Sequence, residues 1–203
     1  ATGIANTIHR SDIYFEIAME KLPLPNSQEV NNFTASVSAD GARLPEFIRQ
    51  CAEETRSLGT TVEPATSENV AALLSADAIA KILCAVRERI DALREYQKLP
   101  HFLPGASVCS GEKNPGSDAL TLTLDPFLES MVESSSCTGE GQIPQKSVVV
   151  ENGVVKAQSV TNRWGQYLGK SPNYIMGNLC VAPGRFSERD LLKQAKSVVE
   201  VVS

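Results

Sequence analysis

Histidine is the scarcest chemistry-bearing residue in this chain of 203: there are two, His9 and His101. Neither falls in an HExxH or HExxxH pattern, so these residues cannot build a helical zinc site of that kind by themselves. No Gly-x-Ser-x-Gly elbow occurs, which argues against an α/β-hydrolase. The five cysteines, Cys51, Cys84, Cys109, Cys137 and Cys180, form no CxxC pair and read as reduced thiols. No window approaches the roughly 18 apolar residues of a membrane span. The N-terminal "ATGIANTIHRSD" has no basic-then-apolar leader, so a cytoplasmic protein with no membrane partner is expected. A net charge of -5 and a pI near 5.2 argue against sequence-independent binding to nucleic acid.

What is present suits a folded chain of one domain or one and a half. Apolar residues make up 42%, enough for a sizeable core. "DIYFEIAMEKL" (12–22) and "NNFTASVSADG" (31–41) alternate as strands, and "PEFIRQCAEETRSL" (45–58) has a helical stripe. Val70–Leu74 is a short apolar run, and Ser75 is a good N-cap for a long amphipathic helix that carries Ile79, Ile82, Leu83, Val86, Ile90 and Leu93 and packs on a sheet. "ALTLTL" (119–124) reads as a strand. Asn152-Gly153 between two β-branched runs predicts a hairpin over 146–160. "ESSSCTGEGQ" (133–142) reads as a mobile surface loop, and 162–177 as a Gly-rich crossing. A strand follows at 178–183, and then a closing helix over 185–202 with Ser187 as its cap.

Candidate chemistry is sparse. Gly105 to Lys113 nearly spells a phosphate-binding loop but misses the glycine spacing, the Gly-Lys step and the hydroxyl, and a strand rather than a helix follows. What remains is carboxylate and guanidinium chemistry. Asp118 reads as a turn or strand-entry cap or as a base, and Arg163 as a surface ion pair or an anion donor. Trp164, the lone tryptophan, reads as a core anchor or a stacking platform. His101 reads as a packed loop histidine. His9 and Arg10 stand in the N-terminal segment.

Four stretches in order, "AALLSADAIAKIL", "FLPGASVCSGEKNPGSDALTLTLDP", "GEGQIPQKSVVVENGVVKAQSVTNRWGQYLG" and "GNLCVAPGRFSERDLLKQ", resemble landmarks of the TldD/PmbA family, once called modulators of DNA gyrase. The resemblance implies an α+β fold with a mixed, largely antiparallel, β-barrel-like sheet flanked by helices. It implies a 67–203 domain of the family's C-terminal type, preceded over 1–66 by remnant strands and a helix. It also implies pairing with a second TldD/PmbA-like subunit, a heterodimer rather than a homodimer. In the family, one subunit type carries HExxxH and a distant cysteine as zinc ligands and cleaves unfolded peptides; the PmbA-like type lacks that motif.

On that resemblance no metal and no cofactor are expected in this chain, and the substrate is a small molecule or a peptide, free or carrier-protein-bound. The favoured expectation is a shortened member turned to non-proteolytic biosynthesis, in which an amine displaces a sulfate to close an aziridine. Its alternative is a non-catalytic partner subunit of a zinc peptidase. The cyclisation needs a base, for which Asp118, Asp12 and His9 are candidates, and donors to the departing sulfate, for which Arg10, Arg163 and Lys113 are candidates beside Trp164.

Overall fold

The computed structural model describes residues 5, 7, 9, 11–21, 29–58, 70–109, 116–194 and 198–201. The chain divides into two compact units: one holds Thr7–Thr66 and Leu128–Ser134, the other Ala1–Asn6, Ser67–Phe127 and Ser135–Ser203.

In the smaller unit, β1 (Ile13–Glu20) pairs antiparallel with β2 (Glu29–Ser36), from Ile13↔Ser36 to Glu20↔Glu29. The alternation seen in the sequence is the pleat itself: one face is half-buried and the other carries Tyr14 and Phe33, exposed and stacked with centroids 5.6 Å apart. Helix α1 (Leu44–Ser57) has proline in its first turn and buries Cys51 and Thr55; the Thr55 hydroxyl donates to the Cys51 carbonyl at 2.7 Å. Asn32 donates to Glu54 at 2.6 Å, which ties the hairpin to the helix.

In the larger unit, β3 (Ala71–Leu74) leads into α2 (Ala76–Arg89), where the Ser75 hydroxyl accepts the Ala78 N–H at 3.1 Å. The long helix expected here stops at Ile90. Asp91 turns extended, bridges to Ser159 and caps a new short helix, α3 (Ala92–Tyr96), by accepting the Leu93 N–H at 2.8 Å. A capping residue inside an otherwise periodic stretch ended the helix. Of the expected stripe, Leu83 and Ile90 are buried and Val86 packs beside them, but Ile79 and Ile82 are exposed.

Four antiparallel strands follow in the order β6-β5-β4-β7: β4 (Leu122–Asp125), β5 (Ser147–Glu151), β6 (Val154–Val155) and β7 (Asn178–Val181). The Asn152-Gly153 turn forms as read, with φ of 51° and 79°. Between Leu122↔Val150 and Thr123↔Val148 the register skips Val149; this bulge lets two successive valines, Val149 and Val150, both be buried. With Leu83, Ile90, Leu122, Leu124, Val155 and Ile175 they make the core. Among the described residues this sheet is antiparallel throughout and open, so the α+β class holds and no barrel closes.

Two stretches differ from their sequence reading. Residues 162–177 contain α4 (Asn162–Leu168). Among the described residues the closing helix is α5 (Glu188–Gln194), and β8 (Val198–Val201) pairs in parallel with β3. The three valines of "VVEV" suit a strand, and the pairing with β3 is what holds the segment in that state.

Candidate functional site

The start of helix α4 borders a partly enclosed concavity in the larger unit. Thr161 begins the helix by accepting the Trp164 N–H at 3.4 Å, and Gly169 ends it in the left-handed region at φ 67°. Gly165 is needed in its middle, because a Cβ there would lie 2.6 Å from the Lys170 carbonyl oxygen. The Glu140 carboxylate accepts the N–H groups of Asn162 at 2.8 Å and Arg163 at 3.4 Å, which fastens the 138–142 loop to the start of the helix. That loop, expected to be a surface loop, has no regular secondary structure and is closed by Thr138, whose N–H donates to the Gln142 carbonyl at 2.7 Å. The bridges Val160↔Asn173 and Gln145↔Ile175 bring in two more segments. Between 138–140, 159–161 and 174–176 lies a cleft of about 240 Å³.

The polar groups of the cleft are turned toward the protein itself. The Thr138 hydroxyl accepts the Gln142 N–H at 3.1 Å, and the Ser159 hydroxyl donates to the Ile175 carbonyl at 3.0 Å. Thr161 and Glu140 are committed to α4 as described. The Tyr174 phenol is held above its ordinary pKa, first by burial and then by the Glu140 charge, so it stays protonated at neutral pH; the Asn162 side chain hydrogen-bonds it. Val160, Ile175 and Met176 supply the apolar wall. The cleft therefore offers shape, apolar surface and a phenol, and pairs no nucleophile with a base.

Asp118 lies in an exposed loop and accepts the backbone N–H of Arg185 at 2.7 Å together with its guanidinium. Those bonds hold its carboxyl below the usual range. Arg163 is exposed, with its guanidinium 4.7 Å from the centre of the Trp164 ring. Trp164 is half-buried outside the core and joins Tyr96 and Tyr167 at 5.1 and 6.0 Å. His101 binds the Leu99 carbonyl through Nδ1 at 2.8 Å, as a packed loop histidine does. His9 and Asp12 belong to the other unit, and both are exposed. Arg10 and Lys113 lie outside the described residues. Glu140 and Tyr174 were not legible as site residues: they come from irregular segments, and only the Thr-Gly-Glu-Gly turn chemistry at 138–141 hinted that the chain folds back there.

Among the described residues no three His, Cys, Asp or Glu side chains converge as a metal site would require. Among the described residues no helix is long and apolar enough to cross a membrane.

The family model of the PmbA/TldA metallopeptidase C-terminal domain matches residues 67–203. Three solved structures share the fold. One, from Thermotoga maritima and described as a modulator of a DNA gyrase, is 21% identical with a TM-score of 0.67 over 90% of this chain and 42% of that one. Another so described, from Bacteroides thetaiotaomicron, is 14% identical with a TM-score of 0.71, over 95% and 43%. TldE from Thermococcus kodakarensis is 18% identical with a TM-score of 0.66, over 93% and 45%. The chain thus spans less than half the length of each. No curated protein matches it.

Proposed function

Since the chain belongs to the PmbA/TldD family, we propose that it serves as a TldE-like subunit that shapes a peptide-binding cleft for a partner and contributes no metal ligand of its own. The observation that carries this reading is the inward commitment of the cleft's polar side chains: Thr138, Glu140, Ser159 and Thr161 all bond to the protein's own backbone. What such a cleft leaves for a ligand is apolar surface and the Tyr174 phenol and, among its described residues, no free base with which to activate one. Any catalytic zinc comes from outside these residues, held by the HExxxH motif of a related subunit.

The cyclisation of a sulfated amine is the second reading, and the geometry favours it less. It asks for a base that faces a cation free to receive sulfate. Asp118 is bound by Arg185 and held ionised, which makes it a weak base, and Arg163 rests on Trp164.

The test is co-expression with the HExxxH-bearing family member of the same genome. Co-elution, zinc carried by the partner and peptide cleavage only by the complex are expected. Gly139 has open space at its Cβ, so Gly139→Phe fills the cleft without backbone strain; the complex and its zinc should persist while cleavage falls. Zinc bound stoichiometrically by this chain alone, or unaltered cleavage by the Gly139→Phe complex, would overturn the reading. Full turnover of a sulfated amine by the complex, lost in Asp118→Asn, would favour the second.

A further inference from the structure

The cleft leaves one feature of the larger unit unused. The chain holds four tyrosines and one tryptophan, and three of these five gather on α3 and α4: Tyr96, Trp164 and Tyr167, with centroids 5.1 to 6.0 Å apart. They are not core. Tyr167 is 62% exposed and Tyr96 45%. Arg163 lies over the tryptophan, and among the described residues its guanidinium meets no carboxylate, whereas neighbouring Lys170 is matched by Glu95.

Tyrosine, tryptophan and arginine are the residue types that dominate binding energy at interfaces, and a cation resting on an aromatic face is partly desolvated already. The platform is also preformed. Lys170 donates to Glu95 and, at 2.8 Å, to Gln158, and Gln158 donates to Glu95 at 2.9 Å, a closed triangle that fastens α3 to the turn after α4. Little ordering remains to be done on binding.

We infer that the Tyr96–Trp164–Tyr167 face docks an extended acidic peptide segment, with a proline or other apolar side chain laid on the exposed rings and a carboxylate of the same segment forked on Arg163. The rings tilt by 29° to 38° from one another, so the face is uneven and suits a chain of separate side chains better than one flat ring system. One unmatched guanidinium answers one carboxylate. A polyphosphate strand would need several such cations, and the face offers one, Arg163. This docking requires neither a partner subunit nor the cleft, so it stands or falls apart from the proposed function.

Trp164 is the lone tryptophan of these 203 residues, so its emission reports on the face directly. The probes are a short synthetic peptide of prolines interrupted by aspartates and its asparagine counterpart. The acidic peptide should change the emission saturably and bind about tenfold more tightly than the neutral one, the usual weight of a charged hydrogen bond. Arg163→Gln should abolish that difference, and Tyr167→Ala should weaken both peptides. Both residues are exposed, and unchanged melting curves would confirm that the variants fold. Equal response to the two peptides, no saturation into the millimolar range, or tighter binding of oligothymidylate would overturn the inference. So would emission that shifts with protein concentration alone, which would give the face to a second copy of the chain.

Discussion

Glu95 shows how a single carboxylate can hold two elements in place. It accepts from both Lys170 and Gln158, and those bonds, the lysine's first, keep its carboxyl below the usual range. Gln158 is itself buried, at 5% exposure, and its amide depends on Glu95 and Lys170, whose own bond is charge-assisted. Glu95→Gln should destabilise the larger unit by about 1 kcal/mol at neutral pH. In a cycle with Lys170→Met the two effects should fall short of additive, because both remove the same contact. Chemical denaturation of the four proteins measures this; full additivity would mean that the triangle does not act as a unit. The same scale separates Asp118 from the role of a base: two donors from Arg185 make it a good clasp between the loops at 116–118 and 184–186, and a poor proton acceptor near neutrality.

Among the elements, α4 is the one on which both the cleft and the aromatic face depend. Thr161 and Gly169 were a start and stop signal in plain sight, yet Gly165 between them lowered the helical reading, since glycine in a helix interior is unfavourable in isolation. Tertiary packing reverses that preference, because the Lys170 carbonyl oxygen occupies the place of a side chain. Gly165→Ala, normally a helix-stabilising change, should therefore cost roughly 1–3 kcal/mol, and Thr161→Ala about 1 kcal/mol. Thermal melts followed by circular dichroism test both, and a stabilised Gly165→Ala protein would refute the packing argument. Elements fixed by local chemistry were legible: the Asn152-Gly153 hairpin, the Ser75 cap, and the alternation of β1 and β2. Elements fixed by distant partners were not, as β8 shows, since its strand state rests on pairing with β3 more than a hundred residues earlier. The cleft was illegible for the same reason: its three segments carry no shared period and meet only through isolated bridges.

For the molecule as a whole, three carboxylates of the larger unit bias stability in one direction. Asp125 is the most shielded, its side chain 5% exposed, with Lys146 at 2.6 Å and the Phe127 N–H at 2.9 Å; the lysine is the main reason its carboxyl sits below the ordinary value. Asp118 and Glu95 are lowered by Arg185 and Lys170. A carboxyl whose folded pKa lies below its unfolded one adds stability that is complete above the unfolded value, near 4, and is lost as the pH falls through the folded one. Lys146, raised mainly by its bond to Asp125, adds stability that is complete below the unfolded lysine value and disappears as the pH rises through the folded one. The stability of this unit should therefore stay level from about pH 5 to about pH 9 and fall on both sides, with no maximum at the pI near 5.2. Melts followed by Trp164 emission between pH 2 and pH 11 would trace it. The triple variant Glu95→Gln, Asp118→Asn, Asp125→Asn should melt lower at neutral pH yet lose little more on acidification, because the three carboxyls with lowered pKa have gone. If parent and triple variant fell with the same slope below pH 4, acid sensitivity would have to arise from net charge repulsion rather than from these three clasps.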